Sequence, residues 1–317
     1  MEKKTNSESD LCSNSESLAS SVSIICDTSS MDTLDTLKKY RDLWWCLGNF
    51  HLMAEWEKAK FPYVLAENVT IDKYIERKDR FNVHGSWEWS AKHEKNGIIL
   101  GDVTVYELPT QAHEVCILEI TGLIIEQCRP VNRTDAKILL GATRTCAKGF
   151  CKEPDGSFRP DKSAVVLPNG SDGLTAPWPN IVIEVASSES VSHAKDKARN
   201  YWLHGNRVHD VIIVKLYYDS KTPVPNRMKA WHYCVSGTSV QQKLKPKNKF
   251  EFGTHDANGD LLNYEEGTCV IKIPLDCLYH GVEPSIQVPR STLPDPIILY
   301  FFYVRKAILN SFSYLNS

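Results

Sequence analysis

The sequence lacks the features that would assign a function at first sight. Its 37 lysines and arginines face 39 aspartates and glutamates, a formal net charge of −2. This balance excludes a generally basic nucleic-acid coat, although a local basic cleft is compatible with it. Ser187 and Ser188 have no Gly-x-Ser-x-Gly elbow around them, so the sequence argues against a serine nucleophile.

Long apolar runs are also missing. The most lipid-like segment, 297–304, has eight residues, whereas a membrane-spanning helix needs about 20. The first 30 residues are polar and serine-rich, without the apolar core of a signal peptide. We therefore expect no membrane association and an intracellular location, either cytoplasmic or nuclear.

Cysteine is present but in no metal-binding pattern. None of the ten cysteines forms a Cys-x-x-Cys pair, so the spacing predicts no structural zinc. Cys116 and Cys269 lie inside apolar runs, where a free thiol packs as a small hydrophobe. The pattern is typical of a reducing compartment.

Length and composition predict one large folded domain or two. The chain has 317 residues, of which 42% are hydrophobic, enough for a full core. The predicted organisation is a disordered serine-rich tail (1–30), an N-terminal helical extension (31–95), a central domain (96–285) and a C-terminal segment that packs on it (286–317).

The central domain shows alternating strand and helix patterns, which predict an α/β fold with a mixed sheet flanked by helices. A helix between two apolar strands would form a β-α-β crossover, and ligands collect at the strand ends of such sheets. The predicted elements are a hairpin around Gly101-Asp102, a helix over 111–127, strands over 162–167 and 181–186, a helix over 192–203 and a strand over 209–217.

Glu184 is the residue in this region that the core does not explain. It ends the apolar run 181–183 of a predicted buried strand, where an ionised carboxylate is costly unless it is paired or bound to a metal. One interpretation is a salt bridge with a nearby arginine or lysine. The other joins it to Asp161, at the start of the predicted strand 162–167, and to Lys197. Two carboxylates and a lysine can hold a divalent cation and a nucleophilic water, which is the minimum equipment for cutting a phosphodiester.

The order of these residues resembles the PD-(D/E)xK nuclease superfamily. The matching features are Pro-Asp161, an apolar strand ending in Glu184-Val-x-Ser, and Lys197 four residues before Tyr201. The pattern is most similar to the Uma-type restriction endonuclease family, formerly a domain of unknown function, in which the motif lysine has moved from the strand to the next helix. Ala186 stands at the usual lysine position. The similarity covers residues 98 to 218, with a looser fit to about 280.

The resemblance implies a restriction-endonuclease-like mixed central sheet, here with an added N-terminal helical segment. It implies Mg²⁺, with Mn²⁺ as a substitute, held by Asp161, Glu184 and the backbone carbonyl of Val185. Lys197 would hold the attacking water, and His113 would reach the cleft if the first long helix packs beside the sheet. The alternative for His113 is an exposed histidine at a helix start.

The implied activity is metal-dependent cleavage of phosphodiester bonds, with DNA as the substrate and a homodimer as one assembly it allows. A different class of function stays open, because folds host many functions. In that alternative the domain is a catalytically inactive, nuclease-like module that binds nucleic acid or another protein.

Overall fold

The computed structural model describes residue 45 and residues 61–81, 87–141, 144–147, 149–163, 170–172, 175–219, 222–235 and 245–316. The chain divides into two compact units, Met1–Tyr106 and Glu107–Ser317. The predicted disordered tail (1–30) lies outside the described residues, as does the predicted helix before residue 61, apart from residue 45.

The first unit contains a three-stranded antiparallel arrangement and a helix. Its elements are β1 (Tyr63–Val69), α1 (Ile71–Phe81), β2 (Trp87–Lys95) and β3 (Ile98–Val105). β3 pairs with β1 on one side and β2 on the other. The turn between β2 and β3 is Asn96-Gly97, and both residues have positive φ, as a tight two-residue hairpin requires.

Two predictions about this region are corrected. The predicted hairpin around Gly101-Asp102 is instead one continuous strand, because the chain reverses at Asn96-Gly97, five residues earlier. Residues 61–95, predicted as part of a helical extension, contain two strands and one helix. The compact units divide after residue 106, and the domain boundary after residue 95 stays a prediction.

The second unit is built on a six-stranded mixed sheet with the order β11-β10-β9-β8-β7-β4. Only β8 and β9 run parallel; the other neighbours are antiparallel. The strands are β4 (Ile138–Gly141), β7 (Gly156–Pro160), β8 (Ile181–Ala186), β9 (Asp210–Tyr218), β10 (Pro225–Cys234) and β11 (Asn248–Glu251).

Helices and two short strand pairs complete this unit. The helices are α2 (Gln111–Cys128), α3 (Val191–Asp196, continued by a π-helical segment Lys197–Trp202), α4 (Leu275–Leu278) and α5 (Phe301–Asn310). Short 3-10 turns cover Arg129–Val131, His204–Asn206 and Ser313–Asn316. β5 (Thr145–Ala147) pairs with β6 (Phe150–Lys152), and β12 (Val270–Ile273) pairs with β13 (Ile297–Tyr300). Cys146 and Cys151 are cross-strand partners in the first pair and form a disulfide, whereas the pattern had predicted reduced cysteines.

β8 is buried on both faces, and its alternating side chains enter two different cores. Ile181, Ile183 and Val185 join the core that contains α2 and the C-terminal elements. Val182 and Ala186 join the core beneath α3. Since successive side chains of a strand alternate, Glu184 shares the α3 face with Val182 and Ala186.

The predicted α/β class with a mixed sheet and flanking helices is confirmed. Among the described residues, no helix has the length and apolar character needed to cross a membrane. The predicted strand over 162–167 is wrong for its described part: the strand before β8 is β7, at 156–160, and a turn follows it at 161 and 162.

Candidate functional site

Glu184 lies buried at the carboxyl end of β8, and both its oxygens accept hydrogen bonds from one helix. Lys197 Nζ donates to Oε2 at 2.7 Å, and Trp202 Nε1 donates to Oε1 at 2.5 Å. The side chains of Glu184 and Lys197 are each only 2% exposed. The salt-bridge interpretation of Glu184 is therefore correct as far as it goes, and the partner is the lysine of the predicted catalytic set.

The π-helical segment explains why two residues five apart reach the same carboxylate. In an α-helix of 3.6 residues per turn, positions five apart point about 140° away from each other. In the segment Lys197–Trp202 the hydrogen bonding changes to i→i+5, as in the bond from Leu203 N to Ala198 O. This change brings Lys197 and Trp202 onto one face. π-helical turns are frequent at functional sites.

Asp155 is the second carboxylate of the site, just before the start of β7. The antiparallel ladder pairs Gly156 with Ile183, so Asp155 lies one step further on, opposite Glu184. Its Oδ2 accepts a hydrogen bond from Val185 N at 2.7 Å. The same backbone residue that was predicted as a metal ligand therefore orients the carboxylate beside it.

Asp161, predicted as the partner of Glu184, is not brought to this site. It follows the opposite end of β7, so the whole strand Gly156–Pro160 separates it from Asp155, roughly 20 Å for six residue steps at about 3.3 Å per residue. Its carboxylate pairs with Lys137 Nζ at 3.2 Å and is 34% exposed. The correction has a simple cause: β7 begins at residue 156, so the aspartate that meets the end of β8 is the one that precedes it.

His113 reaches the site from the first turn of α2, as the resemblance implied. Thr110 caps the helix by accepting a hydrogen bond from His113 N. The imidazole is buried, and its Nε2 lies 3.2 Å from Glu107 Oε1 and 3.5 Å from Asp155 Oδ2. The exposed alternative for His113 is thereby excluded.

A loop after β8 is held in place by the carboxylate of Glu107. Its Oε2 accepts hydrogen bonds from three consecutive backbone N–H groups, those of Ser187, Ser188 and Glu189, at 2.7, 3.1 and 3.1 Å. Lys215, on β9 directly beside Ala186, donates to the carbonyls of Ser187 and Glu189. Such a nest of backbone donors is a fixed binding place for an anionic group.

Glu189 returns from this loop to the centre of the site. Its Oε2 accepts a hydrogen bond from Lys197 Nζ at 3.1 Å, so the lysine lies between Glu184 and Glu189. Both glutamates and the lysine are buried. Buried charges at this density are expensive, and clusters of this kind mark functional sites more often than ordinary cores.

The electrostatics of the site favour its charged form. Burial alone would lower the pKa of His113, but Asp155, Glu107 and Glu114 hold it well above its ordinary value. Burial opposes ionisation of Asp155 as well, yet His113, Lys197 and the N–H of Val185 lower the pKa of that carboxyl. Lys215 is the exception: burial lowers its pKa, against the attraction of Glu107 and Glu189.

The donor set fits a hard divalent cation. Glu107, His113 and Asp155 each offer one atom within 4.8 Å of the others. Glu184 lies outside this group, and its two oxygens accept hydrogen bonds from Lys197 and Trp202. Asp155 uses only Oδ2 in its contacts with Val185 and His113, which leaves Oδ1 available for a metal. Carboxylate and carbonyl oxygens are the ligands that Mg²⁺ prefers.

Sequence reasoning missed Asp155, Glu107, Glu189 and Lys215. A signal for the first was present, because the chain contains Pro-Asp at 154–155 as well as at 160–161. Lys215, a charged residue inside the apolar run of β9, was also visible. Glu107 and Glu189 carry no signal of their own, since only the path of the loop brings them in.

Comparisons with known proteins give little more. No protein-family model matches the chain, and no curated protein matches it. One similar solved structure is the crystal structure of a "putative nuclease belonging to DUF820" from Anabaena variabilis, with 14% identity and a TM-score of 0.33 over 56% of this chain and 83% of that chain.

Proposed function

We propose that this protein is a metal-dependent endonuclease that hydrolyses phosphodiester bonds in DNA. The observation that carries the proposal is the placement of Asp155, Glu184 and Lys197 at the carboxyl end of β8, with Lys197 Nζ 2.7 Å from Glu184 and Asp155 anchored on Val185 N. The set matches the carboxylate–carboxylate–lysine order of the PD-(D/E)xK pattern, with Pro154-Asp155 in place of Pro160-Asp161.

Asp155 and Glu184, with the carbonyl of Val185, would hold Mg²⁺ or Mn²⁺. A bound divalent ion lowers the pKa of its water and polarises a phosphate oxygen. Lys197 would hold the attacking water and offset the charge that develops on the phosphate, since its ammonium group is a compact point charge. His113 would orient Asp155, because it bridges that carboxylate and Glu107.

Lys215 has a positioning role in this proposal. Its ammonium group donates to two backbone carbonyls, so it holds the loop that Glu107 also binds. Lys197 contacts two carboxylate side chains of the site instead. This difference assigns the chemistry to Lys197 and the loop geometry to Lys215.

The inactive, nuclease-like module is the second candidate, and burial favours it. Lys197 is only 3% exposed and is already bonded to two carboxylates, so a phosphate reaches it only after Glu184 gives up that contact. A substrate would approach from the side of Asp155, whose side chain is 19% exposed.

The test is a cleavage assay on single-stranded, duplex and branched DNA with Mg²⁺, Mn²⁺ or Ca²⁺. We expect cleavage with Mg²⁺ and Mn²⁺ and binding with little cleavage in Ca²⁺, which accepts looser geometry. Asp155→Asn and Glu184→Gln should each reduce cleavage by at least about 100-fold, because each removes a charge from the proposed metal shell.

The matched control is Asp161→Asn, which changes the other Pro-Asp motif by the same atoms. It should leave cleavage unchanged, and circular dichroism should show all three variants folded. If the wild type cuts none of these substrates with either metal, the inactive-module function is correct. If Asp155→Asn cuts as well as Asp161→Asn, Asp155 is not part of the catalytic site.

A further inference from the structure

A second cluster of ligating side chains lies at the opposite end of the β8–β9 pair. His209, Asp210, Cys234 and Cys277 are all buried, and each offers one atom within 4.8 Å of the others. We propose that these four side chains form a structural zinc site. This inference is independent of the proposed nuclease activity, because it shares none of the residues assigned to that activity.

Three separate segments bring the four residues together. Asp210 begins β9, and Cys234, at the end of β10, is its cross-strand partner. His209 is held by two backbone bonds, from its own N to Asn180 O and from Val235 N to its carbonyl. Cys277 arrives from α4, about 40 residues later in the chain. Sequence spacing does not reveal the site, because its two cysteines are far apart in the chain.

The distances suit tetrahedral zinc. The two sulfurs are 4.0 Å apart, near the roughly 3.8 Å expected for two thiolates on one zinc with bonds of about 2.3 Å. Cys234 Sγ is 3.9 Å from His209 Nδ1. Asp210 Oδ2 is 2.7 Å from the same nitrogen, a hydrogen-bond distance that would lengthen when a cation replaces the shared proton.

The chemistry of the four donors selects zinc over Mg²⁺. Two thiols and an imidazole are soft or borderline ligands, whereas Mg²⁺ requires oxygen. Four protein ligands also leave no open position, which is typical of a structural and not a catalytic zinc site. A cysteine nucleophile is a poor alternative, because Cys234 and Asp210 approach the same ring nitrogen of His209 and a relay needs both nitrogens.

Residues around the cluster hold its ligands in place by hydrogen bonds, as residues around metal ligands usually do. His232, fully buried, places Nε2 2.6 Å from the other oxygen of Asp210, so it fixes the carboxylate. Asn180 donates from its side chain to the carbonyls of Leu278 and His280. A zinc ion here would link α4 to the start of β9 and the end of β10.

The competing fate of the two cysteines is a disulfide. In the structure both are thiols, unlike Cys146 and Cys151. Closing a bond of about 2.05 Å would require the sulfurs to approach by about 2 Å, whereas zinc fits the present separation. The two fates predict different products and can be distinguished.

The experiment uses the full chain, reduced and freed of metal, titrated with Zn²⁺ and with Co²⁺ as a spectroscopic probe. We expect one equivalent of zinc and a thiolate-to-cobalt charge-transfer band with the intensity of two thiolates. Cys277→Ser should lose half or more of that band. Cys128→Ser, a buried thiol in α2, and Glu184→Gln, in the other cluster, should keep all of it. His232→Gln should weaken zinc binding by about 10- to 100-fold.

The wild-type band by itself tests the site if Cys277→Ser does not fold. Absence of a thiolate–cobalt band in fully reduced wild-type protein would overturn the proposal. So would a band that survives both Cys234→Ser and Cys277→Ser, or a Cys234–Cys277 disulfide found by peptide mapping of protein isolated with its thiols blocked at lysis.

Discussion

The two ends of the β8–β9 pair carry buried polar clusters of opposite chemical character. At the carboxyl end, Glu184 and Asp155 meet Lys197, a set of hard oxygens and an ammonium group. At the other end, Asp210 and Cys234 meet His209, a set that includes sulfur and imidazole. Burial alone therefore does not define a function, since both clusters are buried and their donor atoms distinguish the proposed Mg²⁺ site from the proposed zinc site.

The ends also differ in how each is closed. Every member of the sulfur cluster is almost fully buried, which suits a site whose work is to hold segments together. The carboxylate cluster keeps Asp155 partly open and lies beside a loop that is held by Glu107. A reaction at the carboxyl end would therefore depend on local movement, whereas a zinc site would work by preventing movement.

The largest expected effect on stability is at the end that carries the sulfur cluster. Asp210→Asn leaves the imidazoles of His209 and His232 without their shared carboxylate, and breaking a buried charged network by removing one partner costs about 3–5 kcal/mol. We expect a loss of unfolding free energy of that size in urea denaturation of metal-free protein. Added Mg²⁺ should restore none of it; a loss below about 1 kcal/mol would contradict the network.

Lys197→Met, at the carboxyl end, should reduce the unfolding free energy slightly less, by about 3 kcal/mol. It leaves Glu184 and Glu189 without their shared ammonium group, but His113 and Lys215 stay nearby. Here Mg²⁺ should restore part of the loss, because a bound cation replaces the missing positive charge. Denaturation with and without Mg²⁺ measures both values, with Lys195→Met, on the same helix, as the control.

If Mg²⁺ fails to stabilise Lys197→Met, the two ends respond alike and the carboxyl end is a structural ion network. In a folded, intact protein that result would contradict the assignment of different ions to the two ends. Equal stabilisation of Asp210→Asn by Mg²⁺ would also contradict that assignment, because an ion that prefers oxygen ligands would then bind at both ends.

Much of the fold was predictable from the sequence, because β8 and α2 have strong local patterns. The predicted strand 181–186 matches β8, and the predicted helix 111–127 matches α2 to within one residue. Glu184 was predicted as a site residue because a charge in an apolar strand is a local signal, whereas Lys197 and His113 were predicted through the resemblance to the nuclease pattern. Asp155 was not predicted, because which aspartate lies beside Glu184 depends on where β7 starts, and the Pro-Asp motifs at 154–155 and 160–161 fit the pattern equally well.

The sulfur cluster could not be predicted, for a different physical reason. Metal spacing rules detect ligands that lie close together in the chain, and Cys234 and Cys277 are 43 residues apart. Their approach depends on the register of β9 with β10 and on the return of α4 to the sheet. Neither can be inferred from local periodicity.

A smaller effect isolates the contribution of the π-helical segment. Trp202→Phe keeps the aromatic packing but removes the donor to Glu184 Oε1. Leaving a buried acceptor unsatisfied costs about 1–3 kcal/mol, so thermal unfolding should show a loss in that range. Trp231→Phe is the matched control, because Trp231 lies in the same core and its buried Nε1 has no hydrogen-bond partner among the described residues; a loss as large in the control would mean that packing, and not the hydrogen bond, is responsible.

The smallest effect is the most diagnostic, because it changes with pH. The pKa of His113 is raised in the folded protein, above the value of about 6.5 that an unfolded histidine has. The stabilisation that its charge provides is therefore complete below about pH 6.5 and is lost as the pH rises through the folded value.

His113→Gln keeps a donor for Glu107 but has no charge. We expect the difference in unfolding free energy between wild type and His113→Gln to be greatest below pH 6.5 and to decline at higher pH, measured by urea denaturation in metal-free protein. A difference that is constant with pH would mean that His113 is neutral in the folded state, and its role between Asp155 and Glu107 would then be that of a neutral hydrogen-bond donor.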